Sequence, residues 1–313
     1  MLGWSAFAQR RTLPALARLG MAHIDVASRS RTVTLPAGIT GEVFNDYGAA
    51  LRSSTTDWVY VSTRNTDHFT WAARALESGR HVIVDKPAAL SLADVERLVT
   101  LATKANRLVA EATVYAWHPQ IEQLRQIASD AGPVTTLVAT FSFPPLPPTD
   151  FRWQAAQGGG ALWDLGPYAI TPGRIFFGEA PTEVIARVSR RDGDEVETAF
   201  TAMLRYSGGR SVIGHFGMTT AYVNRLTLLG PNLEATVDRA FTTAPDQPAL
   251  IRGQQHGRPI ATEVGAADAF SLFLADAFAA PAAGRQSQFA DWMLDDARCL
   301  ERLRASALTQ PGV

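Results

Sequence analysis

The chain has one cysteine, Cys299, in 313 residues. An internal disulfide and a cysteine metal cluster are therefore excluded, and the flanking Ala297 and Leu300 make a packed thiol the expectation. Charge of one sign is also lacking: 29 Lys and Arg stand against 30 Asp and Glu, for a formal net charge of −1. Without a basic excess, neither nucleic acid nor an anionic membrane surface is expected as a partner. No uninterrupted apolar run reaches the roughly 18–20 residues that cross a bilayer, and no charged region with an apolar core opens the chain, so a cytoplasmic location is expected. His68, His81, His118, His215 and His256 show no ligand spacing, so no metal is expected. Internal repeats and low-complexity tails are absent as well.

What is present suits two domains, by the soft prior of roughly 100–200 residues each. The organising stretch is His81-Val82-Ile83-Val84-Asp85-Lys86-Pro87. An apolar run of this kind reads as a central parallel strand, and Pro87 ends it, leaving Lys86 at the carboxyl end of the sheet, where ligands of open α/β folds lie. Around it, His23–Ala27, Asp57–Ser62 and Arg107–Ala112 read as strands, and Phe69–Ser78 and a helix from Ser91 to about Ala105 as their crossovers. Ser91 and Asp94 have capping-box spacing. Gly3, Ser5 and Ala8 take the places of a worn dinucleotide-binding turn, although only Met1 and Leu2 precede it where a first strand of about 5–6 residues belongs. After the second strand, Ser28-Arg29-Ser30-Arg31 suits a ribose 2′-phosphate better than bare ribose hydroxyls, which favours NADP over NAD; the alternative is a loop with two solvated arginines.

Beyond residue 117 the texture changes. A helix near Pro119–Ser129 precedes long alternating segments at 134–143, 183–191, 197–206, 210–218 and 225–237, with Gly208-Gly209 as a hairpin signal. These predict a mostly antiparallel sheet with one face covered, the other available as a subunit contact. Segments 266–279 and 289–307 read as amphipathic helices. The expected division is a dinucleotide-binding domain over 1–116 and a substrate and dimerisation domain over 117–313, with the last helix able to pack back on the first domain. Within the second, Gly158-Gly159-Gly160 permits close approach to a ligand, and Asp164 and Tyr168 stand one helical turn apart if Asp164 opens a helix. The alternative there is a capping Asp and a half-buried Tyr.

The whole chain resembles the glucose-fructose oxidoreductase / inositol dehydrogenase (Gfo/Idh/MocA) superfamily, most closely its NDP-sugar 3-ketoreductases of deoxysugar biosynthesis. The matching pieces are residues 10–15, Asn65-Thr66-Asp67-His68, Asp85-Lys86-Pro87, His118-Pro119-Gln120, and Gly158 to Leu162 with Asp164, Gly166 and Tyr168. The resemblance implies a Rossmann-type parallel-sheet domain with a truncated first strand, followed by an α+β domain with a large open, mostly antiparallel sheet that commonly forms the homodimer. It also implies a lysine on the substrate oxygen, here Lys86, and a proton donor, here Tyr168, with Asp164 beside it. The cofactor-binding set expected is Gly3, Ser5, Ala6, Phe7, Ser28, Arg29, Ser62, Thr63, Asn65, His68, Asp85 and Lys86. The substrate-binding set is His118, Arg152, Trp153, Asp164 and Tyr168, the arginine because a sugar nucleotide carries a diphosphate, while His118 reads equally as a packed histidine. Asp85 stands where the family has Glu, and Pro167 where the reductases have a small residue such as Cys. The function expected is NADP-dependent reduction of a keto group on a nucleotide-linked sugar. A cofactor-impaired relative with a non-redox role, in metabolite binding, elimination or epimerisation, is the alternative that the short first strand leaves open.

Overall fold

A computed structural model describes residues 1–29 and 32–308, so Ser30 and Arg31 of the ribose-loop reading lie outside the described residues. The chain divides into two compact units, one made of Met1–Thr113 with Phe270–Leu294, the other of Val114–Ala269 with the chain from Asp295 onward.

The first unit is a parallel sheet with helical crossovers. After α1 (Leu13–Arg18), strands β1 (Val26–Ala27) and β2 (Val43–Phe44) pair in parallel. Following α2 (Tyr47–Ser53), strand β3 (Trp58–Val61), helix α3 (Asn65–Glu77), strand β4 (His81–Val84), helix α4 (Leu92–Ala105) and strand β5 (Val109–Glu111) complete the unit's alternation. Strand β4 lies between β3 and β5 in parallel, as its continuous apolar run requires. Leu2 bridges the two halves, pairing with Ala27 on one side and Val61 on the other. The first strand is thus one residue of ladder. Where it leaves off, at the amino ends of the strands, an apolar hollow opens, lined by residues that include Leu16, Ile24, Trp58, Val59, Leu274 and Phe278. That is the end of the sheet opposite to the one where ligands of this fold bind.

Helix boundaries follow local chemistry. The Ser91 hydroxyl accepts the Asp94 N–H to open α4, and Asn106 closes it in the left-handed region at φ 50°. Helix α3 starts at Asn65, four residues before the expected Phe69, so the Asn65–His68 stretch is a first helical turn and not a loop.

The second unit packs α5 (Pro119–Ala131) and the later helix α6 (Ala161–Phe177) against one sheet of eight strands. Its strands are β6 (Thr136–Ser142), β7 (Glu183–Ser189), β8 (Ala199–Arg205), β9 (Ser211–Gly217), β10 (Val223–Gly230), β11 (Leu233–Asp238), β12 (Ala249–Gln255) and β13 (Arg258–Val264). Their order is β13-β12-β11-β10-β6-β9-β8-β7, antiparallel throughout except for the β6–β9 pair. The segment expected as one strand over 225–237 is a hairpin, because Gly230-Pro231-Asn232 turns the chain and leaves Gly230 opposite Leu233. Strands β12 and β13 were not expected. Leu137, Ala139 and Phe141 of β6 and Leu226 and Leu228 of β10 enter the core with Leu162, Leu165 and Ala169 of α6, while alternate residues such as Thr201, Ile213 and Arg225 face outward. Helices α7 (Ala269–Ala279) and α8 (Gln286–Leu308) follow; the first unit takes Phe270–Leu294, with Phe289 and Met293 buried, and the second takes the rest of α8, with Leu300 and Leu303 buried. Among the described residues no helix is long and apolar enough to cross a membrane.

Candidate active site

In the first unit the polar candidates gather at the carboxyl ends of Leu2, β3 and β4. Gly3 holds φ +101°, and a Cβ placed on it would lie 2.1 Å from the Ser62 carbonyl oxygen. Only glycine fits that turn, which is the close approach a dinucleotide-binding loop needs. Ser5 follows, its hydroxyl accepting the Ala8 N–H at 2.9 Å and lying 2.8 Å from the Ser62 hydroxyl. Ser62 donates to Asp85 Oδ2 at 2.5 Å, and the Tyr60 hydroxyl donates to Asp85 Oδ1 at 2.5 Å. Since Asp85 can only accept, the relay has a fixed direction: Ser5 donates to Ser62, which donates to the carboxylate. Burial, and then the charge on Asp85, push the Tyr60 phenol well above its ordinary pKa, so Tyr60 stays a donor. Tyr60 was missed by sequence reasoning. The signal available was its place two residues before Ser62 on β3, which puts both side chains on one face.

His68 is buried, with Nδ1 2.8 Å from the Pro87 carbonyl oxygen and Nε2 3.3 Å from that of Thr63. Burial holds its pKa below the usual value. The imidazole thereby ties the chain after Lys86 to the loop that opens α3. Lys86 itself is half-buried and engaged within the protein, and Asn65 is buried in the first turn of α3. At the end of β1, Ser28 is buried, and the Arg29 guanidinium lies 4.6 Å above the Tyr47 ring and donates to Asp67 at 2.7 Å. Ala6 and Phe7 open the helical segment after the turn, and the Phe7 ring packs 5.5 Å from Phe270. Glycine turn, serine hydroxyls, carboxylate and arginine suit a dinucleotide's phosphates and ribose, so the residues present fit the cofactor their pattern implies.

In the second unit, Gly160 caps α6 at φ 107°, with Asp164 in the helix's first turn and Pro167 inside it. Asp164 therefore does not open the helix, but it and Tyr168 still share a face one turn apart. Asp164 accepts from Arg152 Nε at 2.9 Å, and Arg152 Nη1 also contacts Asp150 at 3.2 Å. The Asp164 carboxylate raises the Arg152 guanidinium further above its ordinary value. Trp153 donates its indole N–H to the Pro147 carbonyl at 3.1 Å. His118 is buried, its Nδ1 accepting the Gln120 N–H at the start of α5. The half-buried Tyr168 ring is surrounded by Phe141, Tyr115 and Phe241, at centroid distances of 5.0, 6.0 and 5.3 Å. Among the described residues no cluster of three or more His, Cys, Asp or Glu could hold a metal.

Comparison with known proteins places both units in one family. Residues 2–113 match the model of an oxidoreductase family with an NAD-binding Rossmann fold, and residues 121–235 match the GFO/IDH/MocA C-terminal domain. A dTDP-3,4-didehydro-2,6-dideoxy-alpha-D-glucose 3-reductase of Actinomadura kijaniata is 33% identical over 264 residues, 82% of this chain and 79% of the relative. One of the same description from Saccharopolyspora spinosa is 31% identical over 262 residues, 82% and 79% of the two chains. The crystal structure of KijD10, a 3-ketoreductase from Actinomadura kijaniata in complex with NADP and TDP-benzene, superposes with a TM-score of 0.89 at 28% identity, covering 98% of this chain and 96% of that one.

Proposed function

The chain belongs to the GFO/IDH/MocA oxidoreductase family, and from that premise we propose that it is an NADP-dependent ketoreductase acting on a nucleotide-linked hexose in secondary metabolism. The observation that carries the reading is the likeness, over most of the chain, to dTDP-sugar 3-reductases and to a 3-ketoreductase whose complex holds NADP and TDP-benzene. When bound, NADPH supplies the hydride.

The chain's own residues then have separable tasks. Gly3, Ser5 and Ser62 receive the phosphates and ribose, while Arg29, stacked on Tyr47 and sharing its charge with Asp67, receives the 2′-phosphate. As a carbonyl is reduced, negative charge grows on its oxygen, so the reaction calls for a cation and a proton there. Lys86 supplies the cation and Tyr168 the proton, a general-acid role worth typically about 10²–10⁴-fold in rate. Asp85 is braced by two donors beside Lys86, and Asp164 holds Arg152 on the Tyr168 face of α6. Copies of the chain associate through the outward face of the eight-stranded sheet, where Ile213 is exposed.

The test is NADPH oxidation with a dTDP-linked 3-keto sugar, run beside NADH. Turnover with NADPH is expected, with Tyr168→Phe keeping cofactor affinity and losing most of its turnover and Lys86→Ala losing more. Wild-type turnover in either variant removes that residue from the mechanism, and absence of any fluorescence response to NADPH overturns the redox reading altogether.

A further inference from the structure

Tyr168 is the partly exposed member of an otherwise buried aromatic group. Tyr115, Phe141 and Phe241 are all buried, and Phe241 also stacks on Phe141 at 5.9 Å and meets Tyr115 edge-on at 5.1 Å. Phe141 sits in strand β6 and is fixed by the sheet. Phe241 is not in a strand: it lies three residues past the end of β11, just after Arg239 turns the chain at φ 56°.

Two buried amides hold that irregular segment. Asn224 of β10, cross-strand partner of Phe141, accepts the Phe241 N–H at 2.9 Å through Oδ1. Its Nδ2 donates to Thr242 Oγ1 at 2.6 Å and to the Tyr222 hydroxyl at 3.3 Å, and its backbone carbonyl accepts the Arg239 N–H. Gln120 of α5 donates through Nε2 to the Ala240 carbonyl at 3.0 Å and the Arg239 carbonyl at 3.4 Å. A buried amide is costly unless its groups are matched: Asn224 matches both ends of its amide at residues 241 and 242 and so fixes the place of Phe241 closely, while Gln120 donates to the same segment with its Oε1 left without a hydrogen-bond partner.

We infer that Asn224 is a positioning residue for the proton donor: through Phe241 it sets where the Tyr168 phenol stands. The inference rests on Tyr168 being the donor. A general acid acts only within hydrogen-bond reach of the oxygen it protonates, and a misplacement of about 1 Å can cost on the order of 10²-fold. A change at Asn224 should therefore lower kcat and leave substrate and cofactor binding nearly alone.

The experiment compares Asn224→Ala, Asn224→Asp, Phe241→Leu and Tyr168→Phe in the full chain, with near-ultraviolet circular dichroism reporting the folded fraction and NADPH titration the cofactor-competent one. Asn224→Ala and Phe241→Leu are expected to lose about 10- to 100-fold in kcat at unchanged KM and NADPH stoichiometry. Asn224→Asp should recover most of the loss, because a carboxylate still accepts the Phe241 N–H and can accept from Thr242. Should Asn224→Ala fail to fold, Phe241→Leu decides alone. Wild-type kcat in Asn224→Ala or in Phe241→Leu, or a loss in Asn224→Ala explained wholly by a smaller folded or NADPH-competent fraction, overturns the inference while a dead Tyr168→Phe leaves the donor assignment standing. Full turnover in Tyr168→Phe overturns both.

Discussion

Replacing Tyr60 by Phe tests whether Asp85 is held by its two donors. The carboxylate accepts from Tyr60 and Ser62 at 2.5 Å each, the short end of the range for a hydroxyl on an ionised acceptor, and all three groups sit in or beside the strand core. A hydrogen bond to a charged group contributes about 1.5–3 kcal/mol, so Tyr60→Phe should cost about that much. Asp85→Ala leaves two buried hydroxyls without their acceptor, at about 1–3 kcal/mol each, and should cost about 2–6 kcal/mol. The double variant should cost little more than Asp85→Ala alone, giving a coupling of about 1.5–3 kcal/mol for residues that share one bond. Urea unfolding followed by circular dichroism reads these values, on the transition that NADPH shifts, since a ligand stabilises only the part that binds it. With a slope of about 1–3 kcal/mol per molar urea, a 2 kcal/mol loss moves the midpoint by roughly 0.7–2 M. Additive losses, with a coupling below about 0.5 kcal/mol, would refute the bracing of Asp85 by Tyr60.

Three further outcomes are expected. Gly3→Ala places a methyl 2.1 Å from the Ser62 carbonyl oxygen at a φ that side chains avoid, so NADPH affinity should fall by about 5- to 150-fold in a fluorescence titration, strain of this kind costing about 1–3 kcal/mol; an unchanged Kd would place the phosphates elsewhere. Asp67→Asn removes the carboxylate that competes with a 2′-phosphate for Arg29, and since an exposed pair is worth about 0–1 kcal/mol, NADPH should bind up to about fivefold tighter with NADH unaltered. Burial lowers the pKa of His68, His81 and His118 in the folded chain, so the unfolded chain binds more protons between those lowered values and about 6.5, and stability should be full above that pH and fall as the solution is acidified through it. Urea midpoints at pH 7.5 and 5.5 check the sign, and a midpoint that rises on acidification would contradict it.

The parts of the fold legible in the sequence were those where one local signal decides. Val82, Ile83 and Val84 with Pro87 behind them had to be a buried strand stopping just before Lys86, and Ser91 with Asp94 had to open a helix. Helix α3 was harder, because Arg64 at its N-cap makes no side-chain capping bond and Asn65, Thr66 and Asp67 look like a loop. The hairpin between β10 and β11 did carry a turn signal in Gly230-Pro231-Asn232, masked by the apolar residues on both sides. Strands β12 and β13 are rich in charged and amide residues, and many of their side chains are exposed. Their turn is His256-Gly257, with φ of 50° and 72°, a hairpin geometry that Asn-Gly signals plainly and His-Gly does not. Site partners were hidden for another reason: Tyr60 and Asp85 are 25 residues apart and Asn224 and Phe241 are 17 apart, and no periodicity relates residues that meet only through sheet pairing and turns.

That hidden layer changes what the legible residues mean. Asp85, Arg29, Arg152 and Asp164 were expected to serve ligands directly, yet each already has a protein partner of complementary charge or hydrogen-bonding sense. A charged group half out of water is held most cheaply by a second fixed group, and fixing it in advance removes the reorganisation that a flexible side chain would undergo as charge develops. Arg152 shows the consequence most plainly. With Nε on Asp164 and Nη1 on Asp150, its guanidinium is neutralised by two carboxylates, so the net charge it offers a diphosphate is small, while its grip on the first turn of α6 is strong. Arg152 and Asp164 thus have the geometry to fix the first turn of the helix that carries Tyr168.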